Sequence, residues 1–287
     1  MTATMRLCGI ADEGAASFND QINMHARLGV DLIELRSFDD RRLDHYNDTH
    51  HEEWAAQLKD TGLTVPVVDS PIGSWAYDIG RSQEEDLAHL TRYIRIAQIY
   101  DCQQIRVMSY PNDGRAESAW RTAVIERFRL LIQLASEAGV TLLLENCDGW
   151  AGQSAANTLD LLAEVSSSAL SLLFDTGNGV TYGYDSLEFL QLVAPHVSHV
   201  HLKDSLDSGT VRFVPLGTGA SRITECLVLL RDSGYNGVLS VEPHIDRLPH
   251  AGTRNSDALL RHSYCEYMRR AADLIACTQD GTALNVY

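Results

Sequence analysis

The chain has no apolar run near the roughly 18 residues a membrane span needs, and its first turn, Ala11-Asp12-Glu13-Gly14, has no GxGxxG. The first absence argues against a membrane-embedded protein. The second makes a dinucleotide-binding doubly wound sheet the lesser choice of fold. Positive charge is scarce, with 23 Lys and Arg against 39 Asp and Glu and a formal net charge of −16. Such a surface repels phosphate backbones and anionic lipid, so neither nucleic acid nor a membrane is expected as a partner. The six cysteines are scattered, with no CxxC, and read as reduced thiols of a cytoplasmic protein rather than as a disulfide framework. Met1–Arg6 runs straight into a strand with no signal-peptide apolar stretch, which agrees with that location.

What is present is an alternation of strands and helices from end to end. Expected strands are Arg6–Ala11, Asp31–Leu35, Leu63–Val68, Gln104–Met108, Val140–Leu144, Leu170–Phe174, Val197–Leu202 and Val238–Val241. Expected helices between and after them are Asn19–Leu28, Asp48–Thr61, Gln83–Tyr100, Ala116–Ala138, Asn157–Glu164, Ser186–Val193, Ser221–Ser233 and Asp257–Ile275. Gly29, Gly62, Gly139 and Gly234 stand where helix C-caps belong. Eight strand–helix units in 287 residues match the arithmetic of a (β/α)8 TIM barrel in one domain. Residues 278–287 read as a short polar tail, a candidate arm across a neighbouring subunit.

In such a barrel all strand C-termini lie at one end, so side chains that end strands converge there. Four apolar strands stop on metal-grade donors: Glu145, Asp175, His201 and Glu242. Three carboxylates and one imidazole suit a hard-to-borderline divalent cation, Mn²⁺ first, with Mg²⁺, Co²⁺ or Zn²⁺ as alternatives. A salt-bridge network with Arg36, Arg106 and Lys203 and no metal is the bland alternative. Glu145 and Glu242, from strands expected on opposite sides of the barrel mouth, can also serve as two acid/bases at a substrate carbon. The other strand ends contribute Asp12 and Glu13, Glu34 and Arg36, Ser70, Arg106 and Ser109, Asn146, Asn178, and His199, Lys203, Asp204 and His244. His199 shares the inward face with His201 and reads as an interior residue. Glu13, Arg36, Asn178, Lys203, Asp204 and His244 are substrate-binding candidates, as is Trp75 in a Pro/Gly-punctuated loop over the mouth. Pro215-Leu216-Gly217-Thr218-Gly219 offers backbone amides for a phosphate, with Arg212 or Arg222 nearby.

With these motifs in hand the chain resembles the sugar phosphate isomerase/epimerase family, the xylose-isomerase-like barrels. The resemblance rests on Asp12-Glu13, Glu34-Leu35-Arg36, Ser70-Pro71-Ile72-Gly73, Glu145-Asn146, Asp175-Thr176-Gly177-Asn178, His201-Leu202-Lys203-Asp204, Gly217-Thr218-Gly219 and Glu242-Pro243-His244. It implies a Mn²⁺ or Co²⁺ site at Glu145, Asp175, His201 and Glu242, with both Glu as the acid/base pair. The expected activity is a sugar isomerase or epimerase acting on a ketose or oxo-sugar through a metal-bound enediolate. Ketose 3-epimerases of this family usually carry a His three residues after the Asp, where this chain has Asn178. Their Arg soon after the ligand His has no close match, Lys203 and Arg212 being the nearest cations. The alternatives are a metal-dependent lyase of the dehydratase, decarboxylase or C-deglycosidase type, and a non-catalytic sugar-binding accessory subunit. A small-molecule sugar is the expected partner, and a homo-oligomer, or a pairing with a second kind of subunit, is what the resemblance implies for assembly.

Overall fold

In the computed structural model the described residues are 4–248 and 252–281. Seven parallel strands form one sheet in the order Arg6–Gly9, Val238–Val241, Val197–Leu202, Leu170–Asp175, Thr141–Gly149, Gln104–Ser109 and Val68–Asp69. The eighth stave lies where strand Asp31–Leu35 was expected, beside the segment that leads into Val68–Asp69. It pairs through single parallel bridges, Ile10 with Glu34, Leu32 with Thr64 and Leu35 with Val68, which join the two edges of the sheet. Regular pairing is interrupted because Pro66 has no N–H for the ladder. Ile33 N instead donates to Thr64 O and Leu35 N to Val67 O.

Helices form where capping and periodicity place them. Ser17, Asn47, Ser82, Ser154 and Asp185 each accept a backbone N–H three residues on, satisfying donors that a helix start leaves open. Gly29, Gly62 and Gly139 close their helices in the left-handed region that glycine enters without a Cβ penalty. At the fourth expected cap the helix ends one residue earlier, at Ser233, and Gly234 follows it with φ +79°. The last helix runs Asp257–Asp280, further than Ile275, because Thr278 is buried and its carbonyl accepts a bond from Arg231 Nη1. The expected tail therefore loses its first residues to the helix, and 282–287 lie outside the described residues. No helix among the described residues is long and apolar enough to cross a membrane, and Cys8, Cys102, Cys147, Cys226 and Cys265 form no disulfide among the described residues.

The strand period of two sorts the barrel into layers. Leu142, Leu144, Leu172 and Phe174 join the large core under the helices. Val67, Leu143 and Leu173 form a separate small cluster. Two residues on from Leu143 and Leu173 along the same face stand Glu145 and Asp175, while His199 and Ser240 precede His201 and Glu242. Cross-strand register pairs Asp175 with His201, and His201 with Ser240. Three short hairpins, built on Ser37–Phe38 with Arg41–Arg42, Ser205–Asp207 with Val211–Phe213, and Arg247–Leu248 with Thr253–Arg254, extend the loops after the strands.

Candidate active site

The strand ends open into a cavity of about 530 Å³. Glu145 and Glu242 line it; together with Asp175 and His201 they are buried, and one ligand atom from each lies within 4.8 Å of the others. The strands of Asp175 and His201 stand between those of the two Glu. His201 Nδ1 is 3.6 Å from Glu242 Oε2 and 4.0 Å from Asp175 Oδ2, and it makes no hydrogen bond. A buried imidazole nitrogen that faces carboxylates and makes no hydrogen bond is the expected imprint of a cation ligand. The donor set therefore fits the divalent cation expected from the sequence.

Fixed cations surround this cluster. Lys203 Nζ is 2.7 Å from Asp175 Oδ2 and 2.8 Å from Glu242 Oε2. Arg36 Nη1 donates to Glu242 Oε1 at 2.7 Å while its Nη2 reaches Asp12 and Glu13. Arg106 Nη1 and Asn178 Nδ2 each donate to Glu145, both at 3.2 Å. Asp175 Oδ1 accepts the backbone N–H groups of Gly177 and Asn178, both at 2.8 Å. Burial, reinforced by the Glu242 and Glu145 charges, pushes the Asp175 carboxyl up to about 7. Burial works the same way on Glu242, but Lys203 and the neighbouring imidazoles outweigh it and hold that carboxyl well below its usual range. Burial, helped by the Lys203 and Arg36 charges and opposed by Glu242, drives His244 down to about 3, so its imidazole is neutral beside Glu242 and Glu13.

Two other buried acid–imidazole clusters differ from this one. In the Glu13, Glu242 and His244 group the Arg36 guanidinium already lies among the carboxylates. In the Glu34, His199 and His201 group the carboxylate accepts from both rings.

Of the sequence-predicted substrate residues, Arg36, Trp75, Lys203 and His244 line the cavity. Trp75 is 49 % exposed at its rim. Glu13 stands behind Arg36 and His244, and Asn178 behind Glu145. Asp204 faces away from the cavity. Its carboxylate accepts the N–H groups of Gly217 at 2.9 Å, Gly219 at 2.8 Å, Ser221 at 3.2 Å and Ser205 at 3.0 Å. This corrects both the substrate role for Asp204 and the phosphate cradle at Gly217–Gly219, since the amides of both glycines are spent on a resident anion. Arg212 sits on the hairpin strand Val211–Phe213, outside the cavity lining, and Arg222 pairs with Asp185 and Glu225.

Asp69 was missed. It is buried 3.5 Å from Arg106 Nε, and burial pushes its carboxyl well above the usual range. The period-two signal runs through Val67 to Asp69, one residue beyond the expected strand end at Val68. Glu34 and Asp12 were recognised as strand-end residues without a role. Asp12 is held by Arg36 and Ser37 and, more loosely, by Arg247.

The model of the xylose isomerase-like TIM barrel family matches residues 23–264. The chain belongs to that family. Among curated relatives, the L-ribulose-5-phosphate 3-epimerase UlaE of Escherichia coli (strain K12) is 26 % identical over 233 residues, covering 78 % of this chain and 81 % of the relative. Among solved structures, the IOLI protein with a binding zinc atom superposes with a TM-score of 0.78 at 15 % identity, covering 95 % of this chain and 98 % of the other. The probable 3-DHS dehydratase AsbF from Bacillus anthracis superposes with a TM-score of 0.72 at 19 % identity, covering 94 % and 98 %. The two superpositions speak to the barrel fold. The chain is thus a xylose isomerase-like barrel with an epimerase among its curated relatives and a cluster of potential metal ligands.

Proposed function

We propose that this protein is a divalent-metal-dependent isomerase or epimerase of a ketose or oxo-sugar, with Glu145, Asp175, His201 and Glu242 as ligands. The observation that carries this reading is the convergence of those four buried donors at one end of the barrel, with His201 Nδ1 facing the carboxylates and making no hydrogen bond. The UlaE relative, named as a ketose-phosphate 3-epimerase, supports the reaction class. A bound divalent cation, Mn²⁺ first, would supply Lewis-acid polarisation of the substrate carbonyl.

The chain's own residues do the rest. Glu242, kept ionised by Lys203 and Arg36, takes the proton from the carbon beside the carbonyl. Glu145, oriented by Arg106 and Asn178, enters the cycle protonated and returns that proton to the carbon from its own side; the proton left on Glu242 then passes to solvent and Glu145 takes one up from solvent, which restores both groups. Arg36, Lys203 and His244 line the walls where hydroxyls of the sugar would bind, and Trp75 offers an apolar face at the rim.

The test is proton exchange. Glu242→Gln is expected to lower deuterium incorporation into substrate from D₂O by about 10²–10⁴-fold while circular dichroism stays unchanged, and wild-type exchange in that variant would refute the acid/base role. About one Mn, Co, Mg or Zn per chain is expected by elemental analysis, and a folded protein that takes up none refutes the metal site. A recovered sugar of unchanged mass establishes the epimerase or isomerase, whereas a product of lower mass assigns the same proton abstraction to a lyase.

A further inference from the structure

The segment that closes the barrel carries Glu34, which is fully buried and anchored by its own N–H to Gly9 O at 3.0 Å. Its two carboxylate oxygens are divided between two imidazoles. Oε1 lies 2.9 Å from His201 Nε2, and Oε2 lies 2.8 Å from His199 Nε2. The two rings meet edge to face, with centroids 5.5 Å apart and planes at 85°. His199 Nε2 also lies 3.1 Å from Ser240 Oγ. An ionised carboxylate can only accept, so both Nε2 atoms must carry protons. In the neutral ring, the form that can bind a cation, that fixes which nitrogen of His201 keeps a lone pair. It is Nδ1, the buried atom that makes no hydrogen bond and faces Asp175 and Glu242.

We propose that Glu34 is a positioning residue that locks His201 in its Nε2–H tautomer, aims Nδ1 at the three carboxylates, and raises that nitrogen's affinity for a cation. His199 is the second arm of the same clamp. By taking the other carboxylate oxygen it prevents Glu34 from rotating away from His201, and Ser240 lies beside the His199 ring to steady it. A carboxylate behind a ligand imidazole fixes ring orientation and increases ligand basicity, and removing one typically costs 10–100-fold in metal affinity. Glutamine would keep the volume of Glu34 but lose its charge, and would turn an N–H donor toward one of the two rings. Aspartate would keep the charge but fall one methylene short.

The inference rests on the metal-site reading above, and the experiment separates the two. Mn²⁺ is titrated into metal-stripped protein and the free ion is read by electron paramagnetic resonance. Wild type is expected to bind one Mn²⁺ per chain, and Glu34→Gln 10–100-fold more weakly, with Glu34→Asp in between. Mn²⁺ affinity in Glu34→Gln within twofold of wild type overturns the role of Glu34 and leaves the metal site standing. No Mn²⁺ binding by wild type overturns both. Should Glu34→Gln fail to fold, the wild type decides through imidazole ¹⁵N resonances of the Zn²⁺-loaded protein. A proton on Nε2 of His201 with Nδ1 ligated is expected, and a proton on Nδ1 overturns the proposal.

Discussion

Removing the Asp204 carboxylate should unfasten the loop after the seventh barrel strand without touching the sugar cavity. Asp204 is 1 % exposed and accepts four backbone N–H groups. Ser205 N keeps a second partner in Ser221 Oγ at 3.2 Å, so Asp204→Ala strands three amides, those of Gly217, Gly219 and Ser221. At about 1–3 kcal/mol for each orphaned or charge-assisted bond, less what entering water recovers at the half-buried glycines, the loss is about 3–5 kcal/mol. With a urea slope of about 3 kcal/mol/M for a chain of this size, the unfolding midpoint falls by about 1–1.5 M. Asp204→Asn should lose a large part of the same energy, because its NH₂ group must face backbone donors. The neighbouring glycine gives an independent check. A Cβ at Gly219 would lie 2.2 Å from Asp204 Oδ1, so Gly219→Ala should destabilise wild type more than it destabilises Asp204→Ala, with a coupling of about 1 kcal/mol or more in the double-mutant cycle. Urea unfolding followed by fluorescence measures all five proteins. A midpoint shift worth less than about 1 kcal/mol in Asp204→Ala, together with a raised KM for sugar, would refute the reasoning and return Asp204 to the substrate.

Two further outcomes are expected. Lys203→Met leaves Asp175 and Glu242 facing each other without their ammonium, so the metal-free variant should lose about 3–5 kcal/mol, and added Mn²⁺ should raise its Tm by more than it raises that of wild type; equal Tm gains would show that Lys203 carries no charge balance. His25 is buried between Leu32 O and Tyr264 Oη, at 2.8 Å from each, and burial lowers its pKa to about 4. The unfolded imidazole titrates near 6.5, so the unfolded chain takes up the proton first. The stability from a neutral His25 is complete above about pH 6.5 and is lost toward pH 4, roughly 3 kcal/mol in all. His25→Gln should flatten the urea midpoint over that interval, and an unchanged slope there would refute the assignment.

Local sequence signals carried much of the fold. The helix starts at Ser17, Asn47, Ser82, Ser154 and Asp185 and the glycine closures at 29, 62 and 139 are set within a few residues of chain, by capping bonds and by the freedom of glycine at positive φ. The buried strands 170–175, 197–202 and 238–241 read directly as short aliphatic runs. The four candidate ligands were legible because each ends such a run, and a parallel barrel gathers strand ends whatever the loops do. The strand before Asp69 was harder, since Pro66 breaks the ladder and hides the inward alternation that continues one residue further.

What the sequence by itself determined, then, is the barrel, the inward register and the identity of the four donors, because period and capping act locally and the fold sums them. Only the tertiary structure decided which charges meet. Arg36 reaches Glu242 across 206 positions of chain, Glu34 reaches His201 across 167, and Asp204 points away from the cavity into a loop ten to twenty residues ahead. A carboxylate beside a strand end has the same letter whether it faces a cation, an imidazole or a row of amides. Its role follows from burial and from the partner that packing brings within hydrogen-bonding distance, and no short stretch of chain contains that partner.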